Sequence, residues 1–368
     1  MKLLECSRDD LLTPLQTVSG IVERRHTLPI LSNVLLERTP ETLMLVATDL
    51  EIQVCRQAPI SSATGTTTVT TSARKLQDIL RALPADAKVI LESTANRLQL
   101  KSGRSRFTLQ TLPAEDFPRL AANVDLVTEL VLPQNTLRDL LLLVQYAMAQ
   151  QDIRYYLNGL LLSVEGTELR VVATDGHRLA FARTTLEKEA QRQEVVLPRK
   201  VVIELCKLLA DEEEPIRIGL LGNQVRFNFG SVELVTKIVD GKFPDYARVI
   251  PTGHQNTITV ERLVLLQALQ RTAILSNDKF RGVRWVLTEN SLRVSCTNNE
   301  QEEAQEELEI TYSGDALDIG FNVNYLLDVL NALSGPSVTC AFGDASSSVL
   351  MTDPGLDHFK YVIMPMRI

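Results

Sequence analysis

Glu41-Thr-Leu-Met-Leu-Val-Ala-Thr-Asp49 returns 126 residues later as Thr167-Glu-Leu-Arg-Val-Val-Ala-Thr-Asp175, and a further 123 on as Asn290-Ser-Leu-Arg-Val-Ser-Cys-Thr-Asn298. Each block reads as a turn entering a strand. Upstream of each lies a helix-like stretch, with apolar residues at helical spacing: Leu11, Leu15, Val18 and Val22 in the first copy, Leu137, Leu140, Val144 and Met148 in the second. Downstream a second stripe, Leu76, Ile79, Leu80 and Leu83, recurs as Leu326, Val329, Leu330 and Leu333, and the middle copy offers Val201, Val202, Leu205 and Leu208. Phe117-Pro118 returns as Phe243-Pro244, and the third copy lacks the pair. Between the helices, Arg97 to Leu109 and Val225 to Val235 alternate apolar and polar residues between Gly, Asn and Pro, as antiparallel meanders do.

The spacing is far longer than the roughly 20 to 50 residues of a solenoid repeat, so the copies are whole domains in tandem. Helices laid on one face of antiparallel sheet make each an α+β layer structure. Pro, Gly and polar residues cluster near Val124 and Gly253, which places the domains at 1–124, 125–253 and 254–368.

A hydrophobic fraction of 45% and a charged fraction of 23% are those of a globular chain able to bury several cores. The richest apolar stretch, Leu137 to Met148, is interrupted by Arg138, Asp139 and Gln145, too short and too charged for a membrane span. Met1-Lys2-Leu3-Leu4 runs at once into Glu5, Arg8, Asp9 and Asp10, which leaves no apolar core for a signal peptide, and a cytoplasmic location is expected. Cys6, Cys55, Cys206, Cys296 and Cys340 are scattered without a C-x-x-C pair, so reduced structural thiols are expected and no metal. The net charge of −8, taken alone, argues against a protein that grips phosphates over its whole surface, so any nucleic-acid contact is expected to be local.

Tandem copies sharing one kind of interface generate an arc, and an arc with complementary ends closes into a ring. The first copy carries Arg97, Lys101, Arg104 and Arg106 on its late strands, and the third carries Glu300, Glu302, Glu303, Glu306, Glu307 and Glu309. These ends are expected to meet between two subunits, with Phe107, Ile274 and Leu275 as apolar contacts. The competing reading is an acidic edge that is merely solvated.

Catalysis finds little support. Asp49-Leu-Glu51 and Asp175-Gly-His177 set carboxylates and a histidine at equivalent strand-to-turn positions. His26, His177, His254 and His358 show no H-x-x-x-H spacing, however, and the chain has neither a G-x-S-x-G elbow nor a phosphate-cradling glycine loop. No catalytic residue, cofactor or nucleotide site is expected.

In several segments the chain resembles the bacterial replicative sliding clamps, the beta subunits of DNA polymerase III. These are Arg25-His-Thr-Leu-Pro-Ile-Leu31, Ser102-Gly-Arg-Ser-Arg-Phe107, Gln151-Asp-Ile-Arg-Tyr-Tyr-Leu-Asn-Gly159, Ala173-Thr-Asp-Gly-His-Arg-Leu179, Ile274-Leu-Ser-Asn-Asp-Lys-Phe-Arg-Gly282 and Tyr361-Val-Ile-Met-Pro-Met-Arg-Ile368. The resemblance implies a head-to-tail homodimer of three-domain subunits, closed into a ring around duplex DNA and tethering the polymerase, the clamp loader and other proteins that carry a clamp-binding peptide. It implies DNA contact by Arg25, Gln151, Tyr155 and Tyr156. To these the residues add Arg154, and Arg74, Lys75, Arg199 and Lys200 at helix ends in equivalent places of two copies. Tyr155 and Tyr156, expected in a strand, offer stacking faces for bases.

The resemblance further implies a peptide cleft between the second and third domains, at Leu157, Thr174, Gly176, His177, Arg178, Leu179, Pro244, Arg248, Val249, Asn322, Tyr325, Ser348, Val362, Met364, Pro365, Met366 and Arg367. Leu, Val, Pro and Met suit an adaptable apolar floor, and Arg178, Arg248 and Arg367 suit a rim that holds acidic or polar groups. The competing reading of Val362 to Met366 is an edge strand that finishes the last sheet. The chain has Ile368 where many members end in Leu, and Gln150 where others carry His. A peptide-binding scaffold that never encircles DNA is the alternative.

Overall fold

The order of elements along the chain repeats three times. The computed structural model describes residues 2–23, 27–59, 65–94, 96–120 and 126–367. The first copy runs β1 (Lys2–Ser7), α1 (Arg8–Ser19), β2 (Asn33–Arg38), β3 (Leu43–Thr48), β4 (Ile52–Ala58), β5 (Thr67–Ser72), α2 (Ala73–Ala82), β6 (Lys88–Thr94), β7 (Arg97–Ser102) and β8 (Ser105–Gln110). The second runs β9 (Thr128–Pro133), α3 (Gln134–Val144), β10 (Gly159–Thr174), β11 (Arg178–Pro198), α4 (Arg199–Leu208), β12 (Pro215–Leu221), β13 (Gln224–Phe229) and β14 (Val232–Lys237). The third runs β15 (Asn256–Glu261), α5 (Arg262–Ala273), β16 (Gly282–Thr288), β17 (Ser291–Thr297), β18 (Glu303–Glu309), β19 (Leu317–Asn322), α6 (Val323–Ala332), β20 (Ser337–Phe342), β21 (Val349–Asp353) and β22 (Leu356–Ile363). The middle copy has two long strands where the others have four short ones. Shifted by 126, β2 and β3 fall on the two ends of β10, and β4 and β5 on the two ends of β11. The turn expected before Thr167 is therefore a bulge inside β10, where register slips around Gly166, a glycine at φ +60°.

Two compact units are built from the described residues, one from Met1–Asn135 with Ile203–Ile238, the other from Thr136–Val202 with Val239–Ile368. They cut across the repeat because sheets run through it. In the first unit β5-β2-β3-β4 continues into β14-β13-β12-β9 as one eight-stranded sheet, through antiparallel pairing of β4 with β14. A separate four-stranded sheet, β1-β6-β7-β8, completes it. In the second unit the β10-β11 ribbon joins β22-β21-β20-β15 through pairing of β11 with β22, and β18-β17-β16-β19 stands as a separate sheet. Each join follows one rule: the fourth strand position of one copy pairs with the last strand of the next.

Local chemistry explains the helices. Ser7 Oγ accepts from the Asp10 amide and the Asp10 carboxylate accepts from the Ser7 amide, a capping box that starts α1. Ser72 and Asn322 cap α2 and α6 one-sidedly, accepting the amides of Lys75 and Asn324. Val22, expected on the first stripe, lies beyond the end of α1 at Ser19, so that stripe is one turn shorter than its spacing suggested. Leu11, Leu15 and Val18 of α1, with Leu76 and Leu80 of α2, are fully buried in the first unit. In the second unit Leu265 and Leu269 of α5 and Leu326, Val329 and Leu330 of α6 are buried in the same way. Each such side chain contributes about 1.5–3 kcal/mol of burial energy. Beneath them Trp285 stands edge-on to Phe321 at 5.3 Å.

The Thr-Asp that closes the first two blocks, and the Thr-Asn that closes the third, are turn devices. Asp49 Oδ1 accepts the amides of Glu51 and Ile52, and Asp175 Oδ1 accepts those of His177 and Arg178. In the third copy Asn298 Oδ1 accepts those of Glu300 and Glu302. Thr48 and Thr174 hydroxyls donate to the carbonyls of Ile52 and Arg178, four residues on. These are Asx-type turns, which is why a carboxylate recurs there without any chemistry to perform.

Candidate functional site

A cavity of about 230 Å³ opens on the second unit. Its floor belongs to a buried cluster of Leu161, Val172, Leu179, Phe181, Val196, Phe243 and Val362, with Tyr246, Val239, Ile250 and Leu350 packed against it. Leu157, Leu179, Pro244, Tyr246, Val249, Val362 and Met364 line it, and Arg154, Tyr156, Thr174, Gly176, His177 and Arg178 complete the wall. Val249 and Met364 are exposed at its mouth, so apolar surface is available to a ligand.

Of the expected cleft residues, Leu157, Thr174, Gly176, His177, Arg178, Leu179, Pro244, Val249, Val362 and Met364 meet here. The others do not line this cavity. Met366 and Arg367 border a separate polar hollow with Arg284, Glu303 and Asp318. Asn322 caps α6, accepting the Asn324 amide, and the Ser348 carbonyl accepts from the His254 ring at 2.9 Å. Arg248 is exposed and paired with Asp245 at 2.8 Å, and Tyr325 lies over the Arg178 guanidinium, 4.3 Å from it. Pro365 lies in the tail between Met364, whose amide donates to His177 O, and Met366, whose amide donates to Gly320 O.

Two readings are corrected, the first of them the competing one. Val362 is not on an edge: β22 lies between β11 and β21, with Val362 opposite both Leu179 and Leu350, because the last strand is the one that joins two copies. Tyr155 and Tyr156 are not in a strand but in a single 3-10 turn, Tyr155–Leu157. Arg178 is also turned differently from a rim residue. Its side chain is 9% exposed, and its guanidinium donates to Asp175, Asp328 and the Tyr146 carbonyl. Burial alone would lower its pKa, but Tyr361, Asp328 and Asp175 outweigh burial and hold it raised. Burial pushes the Tyr361 hydroxyl well up, so it stays protonated and donates to Tyr325 O at 3.0 Å.

The loop that carries the expected DNA contacts forms part of the cavity wall. Asn158 closes it, its side chain bonding both the amide and the carbonyl of Asp152 at 2.9 Å. Arg154 Nε and Nη2 grip the Asp152 carboxylate, and these bonds, with the Arg154 amide, hold Asp152 down to about 2. Gln151 is exposed at φ +56°, Tyr155 is exposed, and Ile153, which sequence reasoning passed over, is 95% exposed. Arg154 and Tyr156 serve the cavity as well. Nothing in the sequence pointed to that, nor to Tyr246, beyond its place two residues after Pro244.

In the first unit Arg74 and Lys75 stand exposed in the first turn of α2, bordering a polar hollow with Ser19, Glu23, Ser32, Gln77 and Arg81. Arg81, two helical turns after Arg74, extends the basic face, and its sequence context did not single it out. Arg199 is half-buried, its guanidinium donating to Met148 O at 3.1 Å, and burial together with the Arg178 charge lowers its pKa. Lys200 is half-buried too. Arg25 lies outside the described residues, as do Val124 and Ile368.

The two separate sheets end in edges of opposite charge. On β8 and the strand beside it Arg97, Arg104 and Arg106 are exposed, without an ion pair to any described residue, and Phe107 is half-buried. Lys101 is spoken for by Glu92 at 2.5 Å. Edge strand β18 and the turn before it expose Glu300, Glu302, Glu303, Glu307 and Glu309, whereas Glu306 is held by Arg271. Ile274 is 76% exposed just past α5, Leu275 is half-buried, and Phe280 nearby is 58% exposed. Among the described residues no helix is long and apolar enough to cross a membrane.

Three family models cover the chain in order: the N-terminal domain of the DNA polymerase III beta subunit at residues 1–121, its central domain at 131–245 and its C-terminal domain at 247–367. The beta sliding clamp of Pseudomonas putida is 46% identical over 362 residues, and that of Escherichia coli 45% over 361, with 98% of each chain covered. The crystal structure of the Pseudomonas aeruginosa beta subunit superposes with a TM-score of 0.96 at 44% identity, and that of Caulobacter crescentus with 0.93 at 37%, both over 100% of each chain. With three clamp domains in tandem, matched from end to end, the chain belongs to the DNA polymerase III beta subunit family, the beta sliding clamps.

Proposed function

We propose that this non-catalytic protein is a replicative sliding clamp that works in the cytoplasm as a head-to-tail homodimer, closed around duplex DNA, and tethers the polymerase through the cavity beside Met364. The domains would end near Val124 and Gly253. The observation that carries the ring is the strand-pairing rule. β4 pairs with β14 and β11 with β22, so the fourth strand of each copy takes the last strand of the next. Copy three has no next copy within the chain, and its fourth strand, β18, is an edge; the last strand of copy one, β8, is the matching edge. Applying the rule once more pairs β18 with β8 of a second subunit, and twice closes the ring. Arginines at Arg97, Arg104 and Arg106 then face Glu300, Glu302 and Glu303, while Phe107, Ile274 and Leu275 supply the apolar contact.

Enclosure accounts for the net charge of −8. A ring held by topology needs only a few phosphate contacts, and weak, sequence-independent ones leave it free to slide. Arg74, Lys75, Arg154, Arg199, Lys200 and, from the family resemblance, Arg25 are the candidates, with Gln151, Tyr155 and Tyr156 placed for a single strand. The cavity suits a short peptide with apolar anchors, carried by the polymerase, the clamp loader or other partners. A structure of the Pseudomonas aeruginosa clamp is described as bound to griselimycin, and the same compound is expected to occupy the cavity here.

The test is topological. Loaded onto nicked circular DNA, the protein should stay bound through gel filtration and be lost when the circle is cut. Retention on the linear product would leave a groove binder in place of a clamp.

A further inference from the structure

The hairpin from Thr174 to Leu179 supplies five of the residues that wall the cavity. Its turn is closed by Asp175, but that does not fix its position against the rest of the wall. Two arginines do so from opposite sides. Arg154 packs on Gly176, where even an added methyl group would lie 3.1 Å from Nη2, and donates to Asp175 O at 3.3 Å. Arg178, which also walls the cavity, sends both Nη atoms to groups outside the hairpin. Its Nε donates to Asp175 at 3.1 Å, its Nη2 to Tyr146 O at 2.5 Å and its Nη1 to Asp328 at 2.6 Å. Tyr325 and Tyr146 flank its guanidinium at 4.3 and 5.6 Å.

Asp175 and Tyr146 lie in the segment matched as the central domain, whereas Asp328 and Tyr325 sit on α6, in the segment matched as the C-terminal domain. Asp328 does not line the cavity, and it is the charged group on α6 that meets this arginine.

We infer that Asp328 is a positioning residue: by holding Arg178 it fixes the hairpin wall, so that the cavity is already shaped before a peptide arrives. The inference rests on the cavity being the peptide site. Its physical basis is that ordering a wall during binding subtracts from affinity, and a wall ordered beforehand does not. The Asp328 side chain is 41% exposed, so the pair is partly screened and adds little to global stability. Its effect should therefore show in ligand affinity and in local opening of the hairpin, not in melting.

The test uses the full-length protein with griselimycin as probe. Calorimetry should give roughly tenfold weaker binding for Asp328→Ala, equivalent to about 1.4 kcal/mol, and Asp328→Glu should recover most of the loss. Hydrogen exchange at the His177 and Arg178 amides should quicken in Asp328→Ala and return in Asp328→Glu, with the melting temperature unchanged. Affinity within about twofold of the parent, or unchanged exchange at both amides, overturns the inference. Met364→Asp separates the two layers. If it leaves griselimycin binding intact, the cavity is not the probe's site and the peptide reading falls, while the exchange measurement still decides whether Asp328 fixes the hairpin.

Discussion

Replacing Ile274 with Asp should take the ring apart without unfolding its subunits. Ile274 is 76% exposed in the single chain, so nearly all of its burial energy remains to be gained on assembly. Burying an isoleucine side chain contributes about 1.5–3 kcal/mol, and a head-to-tail dimer contains the contact twice, so the substitution removes roughly 4 kcal/mol from the dimer. At about 1.4 kcal/mol per factor of ten, that is close to a thousandfold in the dimer dissociation constant. The new carboxylate must also give up its hydration to enter an apolar contact, which adds to the lost burial. Sedimentation velocity across a concentration series gives both constants. The melting curve of the dissociated variant should match that of dissociated parent protein, since the side chain touches little within its own subunit. A change of less than about tenfold would refute the assignment of Ile274 to the interface, and a parent protein that is monomeric at every concentration would refute the ring itself.

Gly176→Ala should lose about 1–2 kcal/mol in denaturant unfolding, because φ is +89° and the added Cβ meets Arg154 Nη2 at 3.1 Å; an unchanged midpoint would show that the hairpin relaxes freely. Asp152 is held at about 2 by the Arg154 side chain and amide, below the ordinary 3.8. A depressed carboxyl stabilises above the ordinary value and loses that contribution as pH falls through the depressed one, so the loop contact should persist to about pH 3 and fade near 2, readable as the carboxyl carbon shift of Asp152. Burial pushes the Cys6, Cys55 and Cys340 thiols up to about 12, so alkylation of these three at pH 8 should be slow in the folded protein and fast in denaturant.

The fold was legible where local pattern and repetition agreed. The stripes fell on helices, with Val22, Leu83, Met148 and Leu333 just past the helix ends, because apolar periodicity is a property of the segment itself, and the threefold recurrence replaced the missing knowledge of partners. Strand pairing between copies was not legible. Nothing in Val232–Lys237 says that it pairs with Ile52–Ala58, since that choice is made by the arrangement of whole layers. Fusion of strands in the middle copy was hidden for a related reason. Glu165-Gly166-Thr167 has the composition of a turn, and a glycine at positive φ serves a bulge as readily as a hairpin. Leu50 makes the complementary point: it holds φ +78° at the place where the middle copy has Gly176, so the first copy bears a conformational cost that its sequence does not advertise.

For the site, residue type carried the reading only as far as chemistry, and direction had to come from the fold. Arginine at position 178 suits an acidic ligand, yet a side chain at the first residue of β11 can point along either face of the hairpin, and here Asp175, Asp328 and Tyr146 O recruit it inward. Arg154 gives the opposite case. It is a natural phosphate contact, but the Asn158 clamp on Asp152 folds its loop back so that the same guanidinium also walls the cavity. One short segment, Gln151 to Leu157, thus presents Ile153 and Tyr155 to solvent and Tyr156 and Leu157 to the cavity. Tyr156 sits in a turn closed by the Leu157 amide donating to Arg154 O and by the Ala149 amide donating to Leu157 O, so a ligand that displaces Tyr156 has to work against both bonds.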